Sequence, residues 1–166
     1  LVTALSDREY DAIPGFVGGN EPSGGKRGRM FELGSYYMVL TTPNKLWLTT
    51  DNSEVGLTPY SSNWIKAIEA DVGTPTATRS LYRTAMDPVG QRVEVYQRPF
   101  TRALVLVRPM AQYSATRYDD ASAVSVPLPA GETWHLLHAD GTVSAPVTSV
   151  MLRNGEAAIL IKHSAL

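Results

Sequence analysis

Four residues in the first half of the chain have side chains that could bind or act on a sugar. Asp51 follows a predicted strand, and hydrolysis of a glycosidic bond requires two carboxyl groups roughly 5 to 10 Å apart in one cleft. A single aspartate after a strand is, however, more often a turn or capping residue. Aromatic side chains could stack on sugar rings, although tryptophan in a small domain usually serves packing. The candidate substrate-binding residues are Trp47, Asp51, Tyr60 and Trp64, and no catalytic pair is identified.

The histidines of the chain are His135, His138 and His163. The first two lie three residues apart in a predicted strand, where odd spacing places side chains on opposite faces of a sheet. This spacing argues against a two-histidine metal site. The chain contains no cysteine, which excludes thiolate metal ligands and cysteine nucleophiles. We therefore predict no metal site and no cofactor.

Two further motifs could carry chemistry but lack a required part. Asp119-Asp120 lies in a tyrosine-rich loop and could donate oxygen ligands to calcium, yet the spaced Asp/Asn/Gly pattern of a calcium loop is missing. Gly24-Gly25-Lys26 superficially resembles a phosphate-binding loop, but Arg27 stands where that loop requires Ser or Thr. We interpret Asp119-Asp120 as a solvated turn, and we reject Gly24-Gly25-Lys26 as a phosphate-binding loop.

Charge and hydropathy exclude several classes of partner. The 166 residues carry 15 basic and 16 acidic side chains, so the net charge of -1 draws the chain neither to nucleic acid nor to an acidic membrane surface. The longest apolar stretches, such as Ala103 to Val107, are far shorter than the roughly 20 residues that a spanning helix needs. We predict no membrane span and no nucleic-acid partner. The chain begins at Leu1 with neither a methionine nor a basic segment followed by an apolar core, so we expect a longer precursor.

The first half of the chain reads as loop, helix and strand. Glycine and proline are dense between Ile13 and Gly28, which favours a long loop. The apolar residues Met30, Leu33, Tyr37 and Leu40 recur at helical spacing. The pattern predicts a helix over Arg29 to Thr41, a short strand over Lys45 to Thr50 and a second helix within Ser61 to Asp71.

The second half of the chain changes to the period of β-strands. From Arg92, apolar and polar residues alternate, and Ala103 to Val107 is apolar on both faces. Asp140-Gly141 and Asn154-Gly155 are dipeptides that accept positive φ in tight hairpins. Short strands at this spacing predict an antiparallel β-sandwich over 92–166, preceded by a linker at 76–91. The remaining strand candidates are Ala123 to Pro127, Thr133 to His138, Val143 or Val147 to Leu152, and Ala157 to Lys162.

Several of these segments, taken in order, resemble a known family. The resemblance is to the C-terminal portion of glycoside-hydrolase-like proteins in which a (β/α)8 barrel is followed by a β-sandwich. It covers roughly residues 29 to 162, and its order is more specific than any single motif. The segments that carry it are Met30 to Leu40, Leu46-Trp47-Leu48, Trp64 with Ile68 to Pro75, Val95 to Pro109, and Val150 to Ile161.

The resemblance implies that residues 1–75 are similar to the last units of the barrel, with the predicted helix outside it and the strand Lys45 to Thr50 within it. Catalytic residues of such barrels come from the ends of several strands. The acid and base would then lie mainly upstream of Leu1, and this chain alone would not be an enzyme. The mainly β architecture is thus expected to have an α/β segment in front of the sandwich.

Function is expected to follow from this likeness. The chain would be the C-terminal part of a secreted, polysaccharide-directed glycoside-hydrolase-like protein, and the sandwich would brace the barrel or bind polysaccharide or oligosaccharide. The alternative is a structural β-sandwich subunit that self-assembles in an extracellular layer or filament. Either function predicts an extracellular or cell-surface location. Because two barrel-like units leave unpaired strand edges, we also expect one of three outcomes for the N-terminal segment: self-association, contact with a chain that carries the rest of the barrel, or folding back on the sandwich.

Overall fold

The computed structural model describes residues 26–40, 65–109 and 123–166. Within these ranges there is one α-helix, α1 (Lys26–Val39), and there are two short 3-10 helices (Lys66–Glu69 and His163–Ala165). The strands in the same ranges are β1 (Ser80–Met86), β2 (Arg92–Pro99), β3 (Ala103–Arg108), β4 (Val124–Pro127), β5 (Trp134–Leu137), β6 (Val143–Val147), β7 (Ser149–Leu152) and β8 (Glu156–Lys162). None of the described helices is long and apolar enough to cross a membrane.

The strands form two antiparallel sheets. Six of them make one sheet in the order β1-β2-β3-β8-β5-β6, and β4 pairs with β7 in a second sheet of two strands. All the pairings between strands are antiparallel. The prediction of a mainly β, antiparallel architecture is therefore confirmed.

The two central strands, β3 and β8, are buried on both faces. All six residues of β3 are buried, and Val105 pairs with Ile159 and Leu106 with Ala158 in the middle of the ladder. Alternate side chains enter different cores because successive residues of a strand point to opposite faces. Helix α1 lies over one face and the two-stranded sheet over the other, which explains the apolar run on both faces in the sequence.

Helix α1 packs closely on β3 and β8. Leu33 and Tyr37, two residues of the predicted apolar face, are buried in the core beneath the helix. At Gly34 the approach is closer than a side chain allows: a Cβ there would overlap the Cβ of Ala157 and lie 3.3 Å from a methyl carbon of Val107. The glycine thus permits the helix backbone to approach the sheet.

The second core lies between the two sheets. Its described buried residues come from β2, β3 and β8 of the large sheet and from β4 and β7 of the small one, with Trp134 of β5 beside them. The Trp134 indole donates a hydrogen bond to the Pro129 carbonyl, 3.1 Å away. A buried tryptophan usually satisfies its N–H in this way, and this one has a packing role.

Several boundaries differ from those predicted. Helix α1 is Lys26–Val39 rather than Arg29 to Thr41, and the second helix is a single 3-10 turn, Lys66–Glu69. Strand β1 lies inside residues 76–91, where the sequence analysis predicts a linker. The expected strand from Val143 or Val147 to Leu152 is two strands, β6 and β7, in different sheets. The predicted strand Lys45 to Thr50 lies outside the described residues, and so does the Asp119-Asp120 turn.

The two predicted glycine turns have different roles. Both glycines have positive φ, 83° at Gly141 and 66° at Gly155, as predicted. Gly141 closes a hairpin between β5 and β6, where the His138 N–H donates to the Thr142 carbonyl over 2.8 Å. Gly155 does not close a hairpin, because β7 pairs with β4 while β8 pairs with β3 and β5. That prediction is wrong: the turn carries the chain from one sheet to the other.

Candidate functional site

The structure leaves the four sugar-binding candidates untested. Trp47, Asp51, Tyr60 and Trp64 all fall within residues 41–64, outside the described residues. They remain predictions from sequence. Within the described ranges, no cluster of three or more His, Asp or Glu side chains could hold a metal ion. Among the polar groups that the described structure brings together are a junction between two segments, a histidine pair and two buried ion pairs.

The junction is the place where residues 71–76 run along the β2–β3 hairpin at residues 98–102. Backbone hydrogen bonds join the two segments: Thr101 N–H to the Thr74 carbonyl (2.9 Å), Thr76 N–H to the Pro99 carbonyl (2.9 Å) and Arg102 N–H to the Val72 carbonyl (3.2 Å). Gly73 has φ +76°, and a Cβ there would overlap the Thr101 hydroxyl. The junction therefore depends on backbone pairing at close range.

Arg102 connects three parts of the chain at this junction. One guanidinium nitrogen donates to the Asp71 carboxylate and another donates to the Ala165 carbonyl, and both hydrogen bonds are 2.7 Å long. The Asp71 carboxylate also accepts from the Gly73 N–H, 2.9 Å away. Both side chains of the ion pair are well exposed, and exposed pairs stabilise proteins by only about 0 to 1 kcal/mol. Arg102 thus serves mainly to position the segments.

Arg98 ties helix α1 to the same hairpin. The guanidinium donates to the Tyr37 carbonyl (2.8 Å) and to the Ala77 carbonyl (3.3 Å), and it lies 5.7 Å from the centre of the Phe100 ring. Carbonyls in the last turn of a helix lack intrahelical donors, and a cation there also interacts favourably with the helix dipole. Arg98 is buried and caps the C-terminal turn of α1.

Tyr37 belongs to the core rather than to a chemical site. Its ring makes an edge contact with Phe100, with the ring centres 5.6 Å apart. Burial, with smaller contributions from Tyr36 and Asp71, raises the pKa of Tyr37 to about 12. The phenol is therefore neutral at ordinary pH and unsuited to act as a base.

Two ion pairs are almost completely buried. Asp87 follows β1, and its carboxylate accepts from the backbone N–H groups of Val89 and Gln91 and lies 3.4 Å from the Arg108 guanidinium. Arg29 and Glu32 pair over 2.9 Å within α1. Buried charges require such partners because desolvation is costly. Neither pair was predicted, since partners distant in sequence or hidden on a helix leave no periodic signal.

The histidines pair differently from the way the sequence suggested. His135 on β5 lies beside His163, the first residue of the turn after β8, with Nε2 of His135 3.1 Å from Nδ1 of His163. Trp134 of β5 opposes Lys162 of β8, so the two histidines are diagonal neighbours across the strands. The two histidines are 28 residues apart in sequence, so the contact cannot be predicted without the strand register.

Comparison of the chain with protein-family models, with curated proteins and with solved structures finds no match.

Proposed function

We propose that the two sheets form a β-sandwich that braces a neighbouring α/β unit, as the C-terminal part of a secreted, glycoside-hydrolase-like protein directed at polysaccharide. The junction is the observation that supports this proposal best. Two segments that carry the resemblance, Ile68 to Pro75 and Val95 to Pro109, are hydrogen bonded to each other there through their backbones. A brace requires such contact between a sandwich and the segment that precedes it.

The packing of α1 gives further support. Its buried face lies on β3 and β8, Gly34 allows close approach, and Arg98 caps its C-terminal turn. In this proposal α1 is an outer helix of the last barrel units. The sheet supplies the apolar surface that an isolated helix of this length needs for stability in water.

The alternative, a subunit that self-assembles through its sheet edges, is less well supported. Among the described strands, β1 and β6 are the edges of the large sheet, and β1 exposes Leu81 and Met86. The register of β1 is interrupted between Leu81 and Arg83, and β6 contains Pro146, which lacks an N–H. Bulges, charges and proline at edges are features that oppose strand addition.

Removing the Arg98 side chain tests the brace. In Arg98→Ala we expect hydrogen-exchange protection of the α1 amides to fall by about tenfold or more, because the helix loses its cap and its tie to β2, whereas β3 and β8 keep most of theirs. Exchange followed by mass spectrometry or NMR on the full chain measures this. Arg92→Ala, an exposed change on the same strand, is the matched control. Unchanged protection in α1, or an equal loss in α1 and β3, would contradict the brace.

Carbohydrate binding is tested separately by native electrophoresis through gels that contain soluble polysaccharides. We expect at least one polysaccharide to retard the chain, and replacement of Trp47, Tyr60 and Trp64 by alanine to abolish the retardation, since stacking on aromatic rings would be lost. Tyr96→Ala, a partly exposed aromatic on β2, is the control. No retardation by any glucan, xylan or mannan would remove the carbohydrate part of the proposal and leave the brace standing.

A further inference from the structure

The His135–His163 pair has the geometry of a direct imidazole–imidazole hydrogen bond. The facing nitrogens are 3.1 Å apart, the ring centres 5.3 Å apart, and the ring planes are inclined at 26°. The distance between the ring centres exceeds the distance between the facing nitrogens by about two ring radii. Each nitrogen therefore lies close to the line that joins the ring centres, and the rings meet edge to edge. A proton on one nitrogen therefore points at the lone pair of the other.

The partner of the other His135 nitrogen assigns the protons. Nδ1 of His135 lies 2.8 Å from the Ser144 carbonyl oxygen, which can only accept, so Nδ1 carries a hydrogen. In the neutral pair, Nε2 of His135 then accepts from Nδ1–H of His163. After uptake of one proton, Nε2–H of His135 can donate to His163 instead. A second proton would place two N–H groups against each other, and the hydrogen bond would be lost.

Charged side chains around the pair belong to β8, to the β2–β3 hairpin and to the loop before β5. Strand β6 has no titratable side chain. Lys162 on β8 adds a positive charge and donates to the Thr101 carbonyl over 3.0 Å, and Arg102 of the β2–β3 hairpin lies at the same turn through its bond to Ala165. The carboxylate of Glu132, in the loop before β5, accepts from the Thr133 N–H. Among the described residues, no carboxylate is bound to either ring, so none offsets the repulsion between two imidazolium rings.

The pair holds the last turn of the described chain against the sheet. The His163 N–H donates to the Thr133 carbonyl over 2.9 Å, and the Leu166 N–H donates to the His163 carbonyl over 3.1 Å. Arg102 donates a hydrogen bond to the Ala165 carbonyl of the same turn, and its other guanidinium nitrogen donates to the Asp71 carboxylate. Any movement of His163 away from His135 therefore acts on the turn that Arg102 connects to the junction.

We propose that His135 and His163 form a proton-linked latch. The latch is closed when the pair carries no extra proton or one, and it opens when both imidazoles are charged, releasing residues 163–166 from β5. The geometry gives the direction of the effect: acid weakens the contact because two N–H groups then face each other, and base restores it. This inference does not depend on the function proposed above.

Amide exchange of the full chain tests the latch. From pH 8 to pH 5, after correction for the intrinsic exchange rate, we expect the protection of the His163 amide to fall by about tenfold or more as local opening becomes easier. The internal control is the Leu128 amide, which donates to the Thr148 carbonyl at 2.9 Å directly beside the small sheet. It should keep its protection. A His163 amide with the same protection at both pH values would overturn the proposal.

Two variants show whether the effect belongs to this pair. His163→Asn places an amide that can donate or accept near the position of Nδ1 but takes up no proton, so protection should persist at pH 5. His138→Gln removes the exposed histidine at the end of β5 and should leave the wild-type fall unchanged. Loss of the pH dependence in His138→Gln, or its persistence in His163→Asn, would overturn the latch. Because His163 is exposed, its replacement leaves the core intact.

Discussion

Replacing Asp87 with alanine is expected to lower the free energy of unfolding by about 3 to 5 kcal/mol, because the change removes a counter-charge of a buried arginine. The carboxylate of Asp87 and the guanidinium of Arg108 are each no more than 1% exposed. The same carboxylate accepts two backbone N–H groups in the turn between β1 and β2. Denaturant unfolding, with the midpoint and slope both recorded, measures the loss.

Two comparison variants locate the cause. Asp87→Asn keeps an oxygen that can accept from Val89 and Gln91 but removes the charge, so its loss should be smaller than that of the alanine variant. Asp71→Ala breaks the exposed pair with Arg102 and should cost no more than about 1 kcal/mol. Equal losses in Asp87→Ala and Asp71→Ala would show that burial does not determine the strength of these pairs.

Replacing Gly34 with alanine should destabilise the protein by about 1 to 3 kcal/mol, the usual cost of overpacking a core. The sign of the change in unfolding free energy is informative, because replacing glycine with alanine inside a helix ordinarily stabilises a protein by up to about 1 kcal/mol. Here the added methyl would overlap the Cβ of Ala157 on a central strand and lie 3.3 Å from a methyl carbon of Val107. Thermal or denaturant unfolding decides between the two signs.

A double-mutant cycle tests the contact directly. Ala157→Gly removes the methyl that Gly34→Ala would meet, so the double variant should be more stable than the sum of the two single losses predicts. Ser35→Ala, at the next helix position, is the control for helix propensity and should not depend on residue 157. Strict additivity between positions 34 and 157 would mean that α1 does not press on β8 at this point.

Much of the sheet could be predicted because its signals are local. Alternation from Arg92 and the apolar run at Ala103 predicted β2 and β3, and Asp140-Gly141 predicted a hairpin that forms. Strand β1 was not identified because its seven residues are all exposed or half-buried, which leaves no apolar alternation. The signal that could have revealed it is Asp87-Pro88-Val89-Gly90, where Gly90 has φ 81° and the Gly90 N–H donates to the Asp87 carbonyl.

The candidate site was less accessible to sequence reasoning. The candidates for sugar binding were chosen from residue type and position in the sequence, and they lie outside the described residues. The pairing of His135 with His163 depends on which strands are neighbours in the sheet. The local sequence around a histidine does not indicate which residue it contacts. At Gly155 the sequence predicted a turn with positive φ. It did not predict that this turn joins the two sheets, because that depends on which strand β7 pairs with.

The amino-acid sequence by itself determined several of the described elements, because backbone dihedral preference and hydrophobic period act over a few residues. It set the helix face of Leu33 and Tyr37, the doubly buried strand at Ala103 and the positive φ of two glycines. Only the tertiary structure decided which elements meet. Contacts such as Asp87 with Arg108, Gly34 with Ala157 and His135 with His163 join residues far apart in the chain, and their free energies arise from burial and close packing once the two sheets and the helix have assembled.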